Sequence, residues 1–183
     1  MKNIIVSCLF LFLLAQVSFA VDHRFGISLD AKTTSYTASI GNYSAANNLD
    51  PMCGVGIVLG VPLRDGLALR FEGQYNTASS FTNSLGQKTE ISVYPMQVSL
   101  QNAAGGMYFG GGINYTLWTS SIGGNSVSEN NGIGYQAYAG FDSPLLGNLE
   151  LKYTYMAASF SFLGSTINQS AGAISLGTKF WII

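Results

Sequence analysis

The sequence predicts an all-β fold: an eight-stranded antiparallel transmembrane β-barrel, arranged as an up-and-down meander over residues 21–183. Three observations predict it. Charged residues make up only 9% of the chain, against roughly 25% in soluble domains. No apolar run after residue 20 is long enough for a membrane-spanning helix. Short segments of alternating apolar and polar residues recur between turns, which is the pattern of a membrane barrel.

The first 20 residues predict a cleaved secretory signal peptide. Lys2 supplies a positive start, and residues 4–14 form a nearly unbroken apolar run. Ser18 and Ala20 are small residues at the spacing that a signal peptidase recognises, so we expect cleavage after Ala20. The apolar run is short for a membrane span, which makes an uncleaved anchor the less favoured alternative.

The charge and cysteine content of the mature chain exclude several classes of partner and site. Without Lys2, seven basic residues remain against nine acidic ones, whereas a nucleic-acid partner normally needs a basic face. Cys53 is the only cysteine after residue 20, so an intramolecular disulfide and a cysteine metal cluster are both excluded. No His, Cys and Asp residues have metal-ligand spacing, and no cofactor is expected.

Two kinds of connection alternate along the mature chain. Short turn signals lie at 62–66, 102–106 and 143–148. Longer stretches rich in Ser, Thr, Asn and Gly lie at 33–50, 77–90, 119–132 and 158–170. Short turns at one end of a barrel and long loops at the other are typical of outer-membrane barrels, and together these connections separate eight strands.

The first four predicted strands each have one apolar face, and the opposite face is polar or rich in glycine. In chain order the apolar faces comprise Phe25, Ile27, Leu29 and Ala31; Cys53, Val55, Ile57, Leu59 and Val61; Leu67, Leu69, Phe71 and Tyr75; and Tyr94, Met96, Val98 and Leu100. The fourth strand is less regular, because Ile91 and Val93 are out of phase with its other apolar residues. Pro95 is the candidate position for a bulge there.

The last four predicted strands repeat this alternation. Their apolar faces comprise Met107, Phe109, Ile113, Tyr115 and Leu117; Tyr135, Ala137, Ala139 and Phe141; Leu149, Leu151, Tyr153 and Tyr155; and Ile174, Leu176, Thr178, Phe180 and Ile182. A period of two residues over segments of this length indicates strands with one buried and one exposed face.

The charged residues of the predicted strands all lie opposite the apolar residues. They are Arg24, Asp30, Lys32, Arg70, Glu72, Asp142, Glu150, Lys152 and Lys179. A Lys or Arg that faces lipid near the midplane costs roughly 2–4 kcal/mol, so a bilayer would select this segregation. A soluble β-protein would reverse the two sides, and the shortage of charge favours the membrane form.

These charged residues are therefore expected to face the barrel interior. The interior of an eight-stranded barrel is only just wide enough for side chains, and the five basic and four acidic residues are nearly balanced. We expect a plugged polar core of salt bridges and hydrogen bonds, because a buried charge without a partner is strongly destabilising. A selective ion path through the same residues is the alternative.

Aromatic residues near the predicted strand ends are candidates for interfacial girdles. They are Tyr36, Tyr43, Tyr75, Tyr94, Tyr108, Tyr115, Trp118, Tyr135 and Trp181. Tyrosine is also common in soluble strands, so this signal is weak.

Catalytic and nucleotide-binding patterns are weak in this sequence. His23, the only histidine, lies beside Asp22 at the mature N-terminus and so at the inner rim. Lipid-modifying barrel enzymes use a His and a Ser near the outer rim, at the opposite end. Residues 54–60 superficially resemble a dinucleotide-binding loop, but Pro62 and a turn follow instead of a helix. No catalytic residue is assigned, and the chain is not expected to be an enzyme.

Four stretches carry a resemblance to a known family, and they cover parts of the fourth to seventh strands: 94–100, 107–115, 134–141 and 149–155. A proline-containing strand, a short turn and an aromatic–glycine strand follow one another in that order. In this the chain resembles the small bacterial outer-membrane β-barrel domain proteins of the OmpA/OmpW-like barrel superfamily. The resemblance implies an eight-stranded barrel in the outer membrane and implies no reaction.

The resemblance also bears on partners. It implies contact with outer-membrane lipid and with the barrel-assembly machinery, which in this family usually reads a terminal aromatic residue. This chain departs from that pattern, because Ile182 and Ile183 follow Phe180 and Trp181. We expect a monomer whose long loops face outside the cell and could bind an extracellular ligand.

The leading functional hypothesis is an outer-membrane barrel with a structural or surface-interaction role and a plugged polar core. A narrow pore or transporter for small or hydrophobic solutes is the second hypothesis. An enzyme acting on envelope lipids is the third and least favoured. Conductance or solute uptake would support the second, and lipid products that depend on His23 would support the third.

Overall fold

The structure is a computed structural model that describes residues 24–82, 88–122, 125–143, 145–162 and 165–182. The predicted signal peptide, 1–20, and His23 lie outside these residues. The described residues form nine β-strands: β1 (Arg24–Ile40), β2 (Tyr43–Arg64), β3 (Leu67–Asn76), β4 (Ser79–Thr82), β5 (Lys88–Ala104), β6 (Met107–Ile122), β7 (Asn125–Ser143), β8 (Gly147–Phe162) and β9 (Ser165–Trp181). Within the described ranges, no helix is both long and apolar enough to cross a membrane.

The strands form one antiparallel sheet that closes into a ring. Its order is β3-β2-β1-β9-β8-β7-β6-β5-β4, and β3 also pairs with β5. Both β3 and the short β4 pair with β5, at Leu67–Gly73 and Ser79–Thr82 respectively, so they share one position in the ring. The barrel therefore has eight strand positions, and the predicted eight-stranded antiparallel meander is confirmed.

The ladder between β5 and its neighbour is interrupted at Pro95. Pairing of β3 with β5 stops at Gly73↔Met96, and the next pair on that side is Ser79↔Ile91. Proline has no N–H to donate, so it fits a position without a ladder partner. On the other side the β5–β6 pairing passes through Pro95↔Thr116 without a register shift, so the strand contains no bulge there.

Ile91 and Val93 are buried and share the inner face of β5 with Pro95. These two residues are out of phase with the lipid-facing residues of β5 because they line an apolar part of the lumen. Asn76 bridges the interrupted ladder, because its side-chain amide donates to the Val93 carbonyl at 2.8 Å.

The four ends expected to carry long loops consist mostly of extended strand. β1 and β2 are paired as far as Ile40↔Tyr43, and β2 has 22 residues. The expected long polar stretches therefore become tall hairpins that continue the barrel wall. A bulge between Lys32 and Thr34 of β1, opposite Asp50 and Pro51 of β2, marks the start of one such extension.

The connections at the opposite end are tight turns. Gly66, Gly105, Gly106 and Gly147 all have positive φ, between 62° and 82°. At Gly66 a Cβ atom would also lie 2.6 Å from the Ala103 carbonyl oxygen, so this turn requires glycine.

Apolar side chains cover the outside of the barrel. Ile133 is 69% exposed, Met107 68% and Ile113 65%, whereas the charged side chains of Arg70, Glu72 and Glu150 are almost completely buried. A soluble protein would have the reverse arrangement, so this sidedness is that of a chain surrounded by lipid.

The aromatic residues divide between the two sides of the wall. Tyr43, Tyr75, Tyr115 and Tyr135 are exposed, as girdle residues must be. The girdle assignment is wrong for Tyr36, Tyr108 and Trp118, which are buried inside the barrel. Trp181 lies on the inner face with Lys179. These residues lie near strand ends, but their side chains point into the lumen. Position near a strand end does not determine whether a side chain faces lipid or the lumen.

Candidate functional site

The most distinctive site in the described structure is the barrel lumen, which contains a network of paired charges. Arg70 lies at its centre. Arg70 donates from Nη1 to Glu150 at 2.6 Å and from Nη2 to Glu150 at 3.1 Å, and it also pairs with Glu72. The forked guanidinium suits this arrangement, because it can bind two carboxylates at once.

Two lysines extend the network around these carboxylates. Lys179 pairs with Glu150. Lys152 lies 3.3 Å from the Glu72 carboxylate and donates to the side-chain oxygen of Gln97 at 3.3 Å. Each carboxylate thus faces two cations, which compensates for its removal from water.

The network continues toward the outer end through Gln74. Its amide nitrogen donates to Glu72 at 2.8 Å and to Asp30 at 2.7 Å, and its oxygen accepts from Lys32 at 3.2 Å. Lys32 and Asp30 form an ion pair at 3.4 Å. A continuous chain of contacts therefore links Arg70 to Lys32 across β1, β3 and β8.

A pair of tyrosines covers the inner side of this network. The Arg70 guanidinium lies 4.3 Å from the centre of the Tyr138 ring, in cation–π geometry. The Tyr138 hydroxyl is 3.0 Å from Ser99 Oγ, and the Tyr108 ring meets Tyr138 edge-on at 6.3 Å. These rings fix the position of Arg70 and fill space that water would otherwise occupy.

Glycines on the inner face provide the room that the network needs. A Cβ atom on Gly54 would lie 2.6 Å from the Asn76 side-chain oxygen, and one on Gly56 would lie 2.7 Å from Ser28 Oγ. The glycine-rich stretch 54–60 is therefore packing space within β2.

An apolar cluster fills the lumen on the outer side of the charged network. It comprises Tyr36, Leu49, Met52, Ile91, Val93, Trp118, Met156 and Ala171. The rings of Tyr36 and Trp118 lie 6.2 Å apart. We call this cluster the apolar layer and the network from Arg70 to Lys32 the charged layer.

Very little space separates the two layers. A cavity of about 10 Å³ is lined by Lys32 and Gln97 from the charged layer and by Met52, Val93 and Met156 from the apolar layer. That volume accommodates at most a single water molecule.

The structure brings together seven of the nine charged residues expected in the lumen and separates the other two. Asp30, Lys32, Arg70, Glu72, Glu150, Lys152 and Lys179 belong to the charged layer. Arg24 and Asp142 have the inward phase but are exposed at the inner mouth. They lie at strand ends, where the wall no longer covers them.

The search of solved structures matched several small outer-membrane proteins. Ail of Yersinia pestis, in complex with the heparin analogue sucrose octasulfate, is 10% identical, with 85% of this chain and 99% of that chain covered and a TM-score of 0.50. The chain has the fold of a small outer-membrane β-barrel. Its sequence matches no protein-family model and has no significant match among curated proteins.

Two other structures give lower similarity to this outer-membrane β-barrel. Neisserial surface protein A is 17% identical, covering 84% of this chain and 97% of that chain, with a TM-score of 0.49. OprG of Pseudomonas aeruginosa is 14% identical, covering 86% and 97%, with a TM-score of 0.47.

Several lumen residues of the barrel were not identified from the sequence. Gln97 and Tyr138 complete the charged layer but carry no charge and so did not stand out, and Gln74, although on the polar face of the third predicted strand with Arg70 and Glu72, was not named as a site residue. Their inward phase was readable, because each is an even number of residues from a lumen charge on its own strand or from an inward residue such as Ser99. The apolar layer was missed altogether, because inward apolar residues look like errors in a lipid-facing pattern.

Chemistry other than ion pairing is not evident in the described part of the barrel. No cluster of His, Cys, Asp and Glu with the geometry of a metal site occurs there. Cys53 is exposed on the outer, apolar face.

Proposed function

We propose that this chain is a bacterial outer-membrane protein with a closed lumen and a structural or surface-interaction role. The observation that carries the proposal is the presence of two packed layers of side chains in the barrel interior. A paired charged layer and a packed apolar layer lie one above the other.

The membrane location is supported by the sidedness of the wall. Large apolar residues such as Ile113, Leu151 and Leu176 are more than half exposed on the outer face. Their transfer from water to lipid is favourable, at about 25 cal/mol per Å² of apolar surface. We further propose removal of residues 1–20 after export, insertion by the barrel-assembly machinery, and a monomeric state in outer-membrane lipid.

Closure of the lumen argues for a structural or interaction role over transport. A conducting path would need water-filled space, yet the cavity between the layers is about 10 Å³. A solute would also have to separate Arg70 from Glu72 and Glu150, which leaves buried charges without partners.

The tall hairpins are the part of the barrel best placed to meet a partner outside the cell. They are uncharged over long stretches, such as 33–49 of β1 and β2. Of the basic residues after residue 20, only Lys88 lies toward this end. Ail binds a polysulfated ligand, but binding of many sulfates requires many cations. We therefore propose a neutral partner, recognised by hydrogen bonds from Ser, Thr, Asn and Tyr side chains.

Planar bilayer recording with the refolded mature chain tests the closed lumen. We expect no stable single-channel current, because both layers block the interior. A large, stable conductance would overturn the closed lumen and support the alternative of a narrow pore for small solutes. Folding of the same sample is checked by gel mobility, since a folded barrel migrates differently before and after boiling.

A further inference from the structure

A cavity at the inner mouth of the barrel reaches the charged layer at Arg70 and does not touch the apolar layer. It has a volume of about 150 Å³ and lies beside the turn between β2 and β3. Arg24 and Arg64 are exposed at its entrance, and Arg70 is among the residues that line it. No acidic residue is among the described residues that line this cavity.

The arginines at the entrance are not neutralised by their surroundings. Neither Arg24 nor Arg64 forms an ion pair with any residue that the structure describes. Asp142 lines an adjoining cavity of about 170 Å³ together with Arg24, Tyr108 and Asn148. Asp65 lies in the β2–β3 turn beside Arg64 but does not line the first cavity, whose charged lining residues are all arginines.

Two buried donors at this cavity have no hydrogen-bond partner among the described residues. They are Nε of Arg70 and Nε1 of Trp181. Arg70 is only 2% exposed, and both of its Nη atoms are already engaged by carboxylates. A buried donor without a partner is costly, and an acceptor that enters the cavity would relieve that cost.

Apart from Gln101, the rest of the lining is apolar or glycine. It includes Pro62, Leu67, Ala68, Ala103 and the Trp181 ring, which lies against Gly60. An apolar cavity of this volume can hold a guest as large as benzene. The site thus combines cations at the entrance, unpartnered N–H donors and a small apolar wall.

We propose that this cavity binds a carboxylate carried on a short apolar stem. The carboxylate accepts hydrogen bonds from Arg24 and Arg64, and from Trp181 or Arg70 deeper in the cavity. The stem packs on Pro62, Leu67 and Trp181. The same chemistry occurs at the end of a peptide and at the head of a free carboxylic acid. This inference does not depend on the role of the outer hairpins.

The test measures binding of two carboxylate probes to the mature chain in nonionic detergent at low salt. The probes are propionate, which represents a free acid, and N-acetylalanine, which represents a peptide end. Trp118 and Trp181 are the two tryptophans of the chain, so Trp118→Phe leaves Trp181 as the reporter of fluorescence. Calorimetry on the unmodified chain gives an independent readout.

We expect saturable binding of at least one probe, and the tighter probe identifies the source of the carboxylate. The neutral analogue propionamide should not bind. Arg24→Gln with Arg64→Gln should weaken binding by about tenfold or more, because two charge-assisted hydrogen bonds are lost. Lys88→Gln is the matched control at the outer end, and it should leave the affinity unchanged.

Three results would overturn the proposal. The first is an absence of saturable binding by both fluorescence and calorimetry. The second is equal binding by the Arg24→Gln, Arg64→Gln variant, whose exposed positions keep the fold intact. The third is equally tight binding of a control compound. Equal binding of propionamide would show that the charge is not recognised, and equal binding of inorganic phosphate would show that the apolar stem is not recognised.

Discussion

Single buried charges in this lumen are costly to change, because each one compensates another. The charged layer contains four basic residues, Lys32, Arg70, Lys152 and Lys179, and three acidic ones, Asp30, Glu72 and Glu150. It therefore carries one excess positive charge. Loss of an acid increases this imbalance, whereas loss of a lysine removes it, so the two kinds of substitution differ in cost.

Replacement of Glu72 by Gln should destabilise the barrel strongly. Glu72 contacts Arg70, Lys152 and Gln74, and loss of one partner of a buried pair costs about 3–5 kcal/mol. The double variant Glu72→Gln, Lys152→Gln should recover part of this loss, with a coupling of roughly 0.5–3 kcal/mol. Urea unfolding followed by tryptophan fluorescence measures both.

The matched control for this substitution is Lys88→Gln. Lys88 pairs with Glu90 at 2.9 Å, but both side chains are exposed, and exposed pairs contribute little to stability. Its unfolding midpoint should not move. If Glu72→Gln proved as stable as Lys88→Gln, the charged layer could not be the main constraint on the lumen.

Substitutions on the outer face test the sidedness of single positions. Ile113→Lys places an ammonium on the apolar exterior of β6, where a lipid-facing lysine costs roughly 2–4 kcal/mol. Ser44→Lys, on the exposed outer hairpin, should be neutral. Urea unfolding in lipid vesicles compares the two, and equal stabilities would argue against a membrane around Ile113.

At the scale of elements, the hairpin tips have little to do with the stability of the barrel. Replacement of residues 39–44 by Asn-Gly would join the paired residues Ala38 and Ala45 through a two-residue turn and preserve the register. Since residues 41–44 are exposed, the unfolding free energy should change by less than about 1 kcal/mol. The measurement is again urea unfolding in vesicles.

The comparison substitution for this shortened hairpin is Gly66→Val in an inner turn. It places a β-branched residue at φ 73° and against the Ala103 carbonyl, so it should cost about 1–3 kcal/mol. A larger loss for the shortened hairpin than for Gly66→Val would show that the tall extensions stabilise the barrel.

The sequence predicts strand phase far better than strand length. Phase follows from the period of two residues, and the bilayer restricts charges to one side, so Arg70, Glu72 and Lys152 could be placed inside. The bilayer places no such restriction on the parts of β1 and β2 beyond it. Ser, Thr and Asn there are compatible with a loop or a strand, and the extensions were therefore interpreted as loops.

Sequence also predicts the existence of the charged layer but not its partners. Glu150 faces Arg70 because β8 lies across the ring from β3, and the closed barrel sets the distance between these two strands. The apolar layer could not be predicted, because the sequence pattern gives Leu49 and Met52 the same character as residues that face lipid.

For the whole molecule, the closed lumen that we propose rests on two layers, so its closure is redundant. The apolar layer is held by packing and does not depend on the ion pairs. The charged layer is held by ion pairs and does not depend on the apolar packing. Removal of either one should thus leave the other as a barrier, whereas a single-gate barrel would open when its one barrier is removed.

This redundancy predicts the conductance of three variants in planar bilayers. Met52→Ala with Trp118→Ala opens a cavity in the apolar layer, and Glu72→Ala with Lys152→Ala weakens the charged layer without changing its net charge. Each pair alone should give no stable current, and the four substitutions together should give a small one, since only then is there continuous space for water. Gel mobility before and after boiling confirms that each sample is folded. A stable current from the Met52→Ala, Trp118→Ala variant would mean that the charged layer does not block ions and that the apolar layer alone closes the barrel.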